Sequence, residues 1–311
     1  MRKLFFLFLL IASAQIAEAQ QQGLFSLYRD NSHLLNPAIA GSEANPIAAL
    51  TYRNQWRKIE GAPNTFAGSY RGRIGKSPHG LGGVIMNDQT GPTSFTGVTF
   101  SYAFHLDFYK INPFFWSKFL RKSKISLGLS TSVYQYRLNA NMLQLDNPND
   151  QAVANANVSS FRPNAGAGIY YYYDNLYFGF SVPLLIPIES KFENGGTSLI
   201  KQINHFYGVV GGRIVLKKRV HFLEPLAWLR FVNGAPLSWD AHVRYRYKDI
   251  WWAGVAYRSS QTAVIEAGFM VRKKFQIGYA FDQNISNLAK YTAGSHEIIL
   301  GYHFIKNNRR Y

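Results

Sequence analysis

From about residue 46 to residue 305 the chain repeats one pattern: every second residue is large and apolar, and those between are small or polar. A period of two is the mark of an extended strand with one greasy face. Ile125, Leu127, Leu129, Thr131 and Val133 alternate with Ser126, Gly128, Ser130 and Ser132. Val98, Phe100, Tyr102 and Phe104 alternate with Gly97, Thr99, Ser101 and Ala103, and Ala263, Ile265, Ala267, Phe269 and Val271 with Thr262, Val264, Glu266 and Gly268. Fourteen such segments can be marked, at 46–53, 63–74, 80–87, 94–104, 124–138, 162–173, 176–182, 203–216, 220–232, 237–247, 250–258, 262–271, 275–282 and 296–305. A tilted strand needs about 9–11 residues to cross a bilayer, and most of these segments supply that. No window approaches about 18 uninterrupted apolar residues, so the pattern contains no transmembrane helix.

Composition agrees with strands in lipid. The chain has 23 Phe, 20 Tyr and 26 Gly, and only 16% of its residues are charged. Aromatic girdles and small inward residues are what a transmembrane barrel uses, and a soluble helical enzyme does not look like this. The expected fold is therefore all-β: an outer-membrane β-barrel of about 14 antiparallel strands over residues 46–305. An even strand number brings both ends of the wall to the same side.

The first residues read as an export signal. Arg2 and Lys3 precede an apolar run from Leu4 to Ala14, too short to span a membrane, and Ala17-Glu18-Ala19 has the shape of a cleavage site. Residues 1–19 are thus expected to be removed by Sec-type export, leaving a lead-in at 20–45. There is no Cys, so neither a lipid anchor nor a disulfide enters the argument.

Connections between strands alternate in length. Those at 75–79, 174–175, 217–219, 248–249 and 272–274 are tight, whereas 54–62, 139–161, 183–202 and 283–295 are long. Barrels in outer membranes show this asymmetry, with short periplasmic turns and long external loops. Two short connections, 233–236 and 259–261, fall on the long-loop side and break the rule. The tight side has one long connection, 105–123. There Asn112-Pro113 precedes Phe114, Phe115, Trp116, Phe119 and Leu120 among Lys118, Arg121 and Lys122, and it suits either an interfacial helix or a loop against the rim.

Charge separates the two rims. The net charge is +17. The tight side, with the basic tail 306–311, holds sixteen Lys/Arg against three acids, a net +13; the loop side holds five against six, a net −1. Lys217, Lys218, Arg219, Arg272, Lys273 and Lys274 are the densest part of a basic periplasmic rim suited to anionic lipid headgroups or an acidic partner. An exported chain has no use for nucleic acid.

The alternation also defines a lumen. Along 237–247, Trp239, Val243 and Tyr245 face lipid, so Asp240, His242, Arg244 and Arg246 face inward, and neighbouring strands add Glu224, Arg230, Arg258 and Glu266. A charge on the lipid face costs about 2–4 kcal/mol at the midplane, which forces the inward assignment. The charges can pair with one another and close the lumen, or line a selective pore; the first reading is preferred.

No catalytic pattern emerges. There is no HExxH, no Gly-x-Ser-x-Gly, no P-loop and no Cys-based metal site, so neither metal nor cofactor is expected. Asp240 and His242 share a face but lack a named nucleophile. Gly82-Gly83 and Gly211-Gly212 read as kinks or close packing rather than phosphate loops.

The stretch before and into the first strand is the most distinctive. It reads Phe25-Ser26-Leu27-Tyr28, then Asn36-Pro37-Ala38-Ile39-Ala40-Gly41-Ser42, then Tyr52-Arg53-Asn54-Gln55-Trp56 and Gly61-Ala62-Pro63. In order and spacing this resembles the PorP/SprF family of the Bacteroidetes type IX secretion system, as does the terminal strand from Ser295 to Phe304. The resemblance implies a non-enzymatic outer-membrane component of protein secretion or gliding. It would work with periplasmic secretion machinery, or bind a large surface adhesin through its C-terminal domain and help export or anchor it. A porin or substrate-specific channel is the alternative. Phe25–Ser42 is expected to be periplasmic or tucked into the lumen, and its Asn-Pro and Gly turns either shape the entry or bind a partner.

Overall fold

The computed structural model describes residues 25–107, 123–139, 142, 158–173, 175–190, 200–217 and 220–305. The expected signal at 1–19, the aromatic-basic connection 108–122, Lys218, Arg219 and the tail 306–311 lie outside the described residues, as do most of loop 139–161 and residues 191–199.

Fourteen wall strands form one antiparallel sheet: β1 (Ile47–Asn54), β2 (Asn64–Arg73), β3 (His79–Thr90), β4 (Thr93–Asp107), β5 (Lys124–Leu138), β6 (Val158–Tyr173), β7 (Leu176–Val182), β8 (His205–Gly212, continued as Ile214–Lys217), β9 (His221–Val232), β10 (Ser238–Tyr247), β11 (Trp251–Arg258), β12 (Thr262–Val271), β13 (Phe275–Asn284) and β14 (Ser295–His303). Each pairs with its neighbours in sequence, and β1 pairs with β14 from Ile47↔His303 to Asn54↔His296. The sheet is thus a closed 14-stranded barrel with no free end. Alternation places Leu50, Tyr70, Phe100, Leu129, Val255, Ile265 and Tyr279 on the outside, all exposed. A water-soluble protein would not show that belt; lipid covers it.

Strand lengths differ from the expected ones where turns are unusually tight. β3 and β4 pair as far as Thr90↔Thr93, so only Gly91-Pro92 connects them. β10–β11 and β12–β13 turn on Lys248-Asp249 and Arg272-Lys273, all four with positive φ. Two successive residues of positive φ are what a type I′ turn requires, usually met by Asn-Gly; each is followed here by one more residue before the strands pair, at Tyr247↔Trp251 and Val271↔Phe275. Here charged residues occupy it and sit on the basic rim.

One seam has a chemical cause. β8 breaks between Gly212 and Ile214, opposite Glu224 and Pro225 of β9. Pro225 has no N–H to give to β8, so the ladder skips there. Arg213 fills the gap by reaching the Glu224 carboxylate at 2.8 Å.

The chain from Phe25 to Ser42 does not join the wall. It folds into the barrel as a one-turn helix α1 (Tyr28–Asn31) and two 3-10 turns, Ser32–Leu34 and Pro37–Ile39. Asn36 caps the second of these by accepting a hydrogen bond from Ala38 N, and Pro37 takes its first position. Phe25, Leu27, Tyr28, Asn31, His33, Leu35 and Asn36 are all buried.

Candidate functional site

The lumen and its plug form the one site that the sequence pattern converges on. Phe25 and Ser26 sit near the long-loop end, beside Arg53, Arg258, Asp282 and Glu297, and Gly41 sits at the tight end, beside Arg73 and Gly80. The segment therefore runs the length of the lumen before β1 begins.

Two ionic clusters hold it. In the upper one, Arg53 reaches Asp282 at 2.6 Å and Glu297 at 3.0 Å, and Arg258 reaches Asp240 at 2.9 Å and Asp282 at 3.4 Å. Ser26 is inserted among them: its N–H donates to Glu297 at 2.5 Å, and its hydroxyl donates to Asp282 and accepts from Arg53. Arg258 also donates to the carbonyl of Phe25. In the lower cluster, Arg244 reaches Glu266 at 3.0 Å and Asp30 of the plug at 2.9 Å, and lies 3.6 Å from the centre of the Trp252 ring. Glu224 gathers Arg213, Arg246 and, at 3.8 Å, Arg29 of the plug. Buried charges are tolerable only when paired and hydrogen-bonded, and here plug and wall complete each other's pairs.

The opposite wall meets the plug with absent side chains. A Cβ at Gly128 would collide with the Ala38 backbone, one at Gly82 with the His33 ring, and one at Gly168 with the Asn36 side chain. These inward glycines of β3, β5 and β6 let plug backbone lie directly on wall backbone. Asn36 then donates to the Ile169 carbonyl, Ser181 to the Leu35 carbonyl, and the His105 ring bonds the Ala40 carbonyl at 2.8 Å.

From the loop side the lumen is narrowed by Pro183 and Leu184, which leave β7 and turn inward. Leu184 packs with Tyr134 and Tyr136. Between the plug at Arg29, Ser32 and Ile39 and the wall at Tyr170, Tyr177 and Trp228 lies a cavity of about 230 Å³. A second, of about 30 Å³, lies next to His33, whose two ring nitrogens have no partner among the described residues. That volume holds a water or two and no more.

The structure separates the sequence-stretch residues into groups. Phe25, Tyr28, Asn36, Pro37 and Gly41 are in the plug; Tyr28 packs at a tilt against Trp228, ring centres 5.0 Å apart, and faces His242 edge-on. Tyr52 points outward, and Arg53 inward into the upper cluster. Gln55, Trp56, Gly61 and Pro63 belong to the first external loop, where Gln55 N–H donates to the Pro63 carbonyl. Asp240, His242, Arg244, Arg258 and Glu266 are buried in the lumen, and Glu224 and Arg246 join them, whereas Arg230 bonds Ser238 at 3.3 Å and the Tyr207 hydroxyl. Lys217, Arg272 and Lys273 are exposed on the tight side. Asp30, Arg29, Arg213, Asp282 and Glu297 complete the network but were not singled out in the sequence. Asp282 and Glu297 each stand alone as the single acid on an otherwise neutral inward face, which was the available signal. Among the described residues no group of three His, Asp or Glu could hold a metal.

These features define a class: a closed outer-membrane-type barrel whose lumen is filled by its own N-terminal segment. The family model described as type IX secretion system membrane protein PorP/SprF matches residues 17–302, and the chain belongs to that family. No curated protein matches it in sequence. Similar solved structures include the Pseudomonas putida toluene transporter TodX, with TM-score 0.47 and 9% identity over 89% of this chain and 94% of that one. The CymD monoaromatic hydrocarbon channel gives 0.48 and 11% over 88% and 91%, and Acinetobacter baumannii Omp33 gives 0.44 and 7% over 84% and 98%.

Proposed function

We propose that the protein sits in the outer membrane as a non-enzymatic component of type IX secretion or gliding. In this reading it binds a large surface protein, an adhesin, through that protein's C-terminal domain and helps export or anchor it. The observation that carries this is the filled lumen. A barrel whose interior is occupied by paired charges and buried backbone acts through its surfaces rather than by letting solute through. The external loops, chiefly 139–161 and 183–202, would meet the exported protein. The basic rim with Lys217, Lys218, Arg219, Arg272, Lys273 and Lys274 would meet inner-leaflet lipid and periplasmic secretion components.

The test is a clean gene deletion followed by a surface proteome. One large surface protein, or a defined set, should be missing from the cell exterior and return on complementation. An unchanged surface proteome overturns the reading. Purified wild-type protein should be silent in planar bilayers, and steady single-channel conductance would favour a porin instead.

A further inference from the structure

The plug does not fill the lumen evenly. Gly82, Gly128 and Gly168 let it lie directly on one side of the wall, and against the other side a cavity of about 230 Å³ remains. The strand register sets out that side as two inward layers. Tyr170, Gly179, Val209 and Trp228 stand level with one another, and Tyr172, Tyr177, Gly211 and Leu226 form the layer nearer the tight end. Gly211 makes room for the Tyr177 ring, because a Cβ there would collide with it. The ladder from β6 through β7 and β8 to β9 is continuous at both layers, so an acyl chain has no way in from the membrane.

The cavity is blind. At its inner end Trp228 is packed by Tyr28 and Tyr207, with ring centres 5.0 and 6.5 Å away, and its Nε1 has no hydrogen-bond partner among the described residues. At the other end it reaches Ser42 and Glu43, just before β1, and Leu176, the first residue after a tight turn. The Glu43 side chain is 31% exposed, so the mouth is at the tight end.

Its chemistry is divided in the same way. Aromatic faces and aliphatic carbons form the inner part, with Ile39 of the plug opposite the wall. Two charged side chains line the cavity. Glu43 is matched by Arg71 at 2.6 Å. Arg29 is matched less well: it lies 3.8 Å from Glu224, whose nearer partners are Arg213 at 2.8 Å and Arg246 at 3.0 Å. One N–H of Arg29 Nη1 goes to the Tyr177 hydroxyl at 2.7 Å, which leaves its second N–H for a ligand. Arg73, bonded to the Tyr172 hydroxyl at 3.0 Å, brings another guanidinium to this end.

We infer that this cavity binds a small organic anion with an aromatic body of one or two rings. A cavity of roughly 150 Å³ is enough for benzene, so the volume suits a ring with a short substituent. The ring lies among the tyrosines and Trp228, where offset and edge-on packing is favourable. The carboxylate, or a like group, stays toward Arg29 and the mouth, where its desolvation costs least and a charge-assisted bond is available. A free aromatic acid presents these groups, and so does an acid-flanked aromatic side chain of a periplasmic polypeptide. The site goes beyond the secretion role and does not rest on it.

The full chain in detergent micelles, titrated with para-fluorophenylacetate and followed by fluorine NMR, tests this. Line broadening should saturate and exceed that in empty micelles. The para-fluorobenzyl alcohol, which lacks the charge, and fluoroacetate, which lacks the ring, should each bind about tenfold more weakly or not at all. Leu226→Trp and Val209→Phe fill the cavity from two strands and should abolish binding, while heat-modifiable gel mobility shows an intact barrel. A tripeptide Asp-Phe-Asp, blocked at both ends, separates the two sources: displacement of the probe assigns a polypeptide side chain, and no displacement a free acid. Absence of saturable binding of para-fluorophenylacetate to wild type overturns the inference and leaves a cavity of water. Equal binding of the alcohol overturns it too, and neither result depends on a variant folding. Unchanged binding in a folded, filled variant does the same. So does binding that appears only in Phe114→Ala/Phe115→Ala/Trp116→Ala, since the chain then occupies its own cavity.

Discussion

Arg53 Nη2 lies 2.6 Å from Asp282 Oδ2, joining the first wall strand to the thirteenth across the hydroxyl of Ser26. Both side chains are about 1% exposed. The pair is therefore a lock of wall to plug rather than a surface ornament. Removing one partner leaves a buried charge uncompensated.

Arg53→Met should accordingly destabilise the barrel by roughly 3–5 kcal/mol, the usual cost of breaking a buried pair. Urea unfolding in detergent micelles, followed by tryptophan fluorescence, measures it. Adding Asp282→Asn should recover part of the loss, because the orphaned carboxylate goes with it. A loss of less than about 1 kcal/mol for Arg53→Met, the range of an exposed pair, would mean the cluster is solvated.

Gly128→Val should expel Ala38 from its seat, since a Cβ there collides with plug backbone. Gly83→Val, whose Cβ would find its nearest neighbour at 3.9 Å on the outer face, should be nearly neutral. Limited proteolysis reads the difference: cleavage within Tyr28–Ile39 should be fast in the first variant and absent in the second.

Deleting residues 25–42 should open a conducting path. Barrels of 16–18 strands leave an aqueous channel, and one of 14 strands is close to that size once emptied. Planar-bilayer recording of a variant that still shifts mobility on boiling should give steady conductance where wild type gives none. A folded but silent deletion would mean that the wall side chains close the lumen by themselves.

Pro225→Ala restores an N–H aimed at β8 and should stabilise the seam by about 0.5–1.5 kcal/mol, the worth of one net hydrogen bond. Hydrogen exchange at Gly211 and Gly212 should slow. Unchanged exchange would show that Arg213, not Pro225, keeps the two strands apart.

The wall was legible because a period of two repeats fourteen times, and the in-or-out sense of each side chain follows from it. Extra ladder was not legible where residues such as Thr90 and Thr93, or Val158 and Ser159, lengthen a strand without alternating greasy faces. The course of Phe25–Ser42 through the lumen was also hidden. Short 3-10 turns have no periodicity, and what makes room for them is the absence of side chains at Gly82, Gly128 and Gly168, far along the sequence. Asp30 was invisible for a related reason: one acid in an irregular segment says nothing until Arg244 is found across from it.

The plug's partners carry a consequence for how the chain matures. Ser26 and Arg53 come from the beginning of the chain, and Asp282 and Glu297 from its last two wall strands. β1 also has no partner on one side until β14 exists. Arg53 thus finds its carboxylates only when the last two wall strands have arrived, and once the last strand is zipped to the first, the N-terminal segment is enclosed. Closure of the ring doubles as a check that the whole chain has arrived.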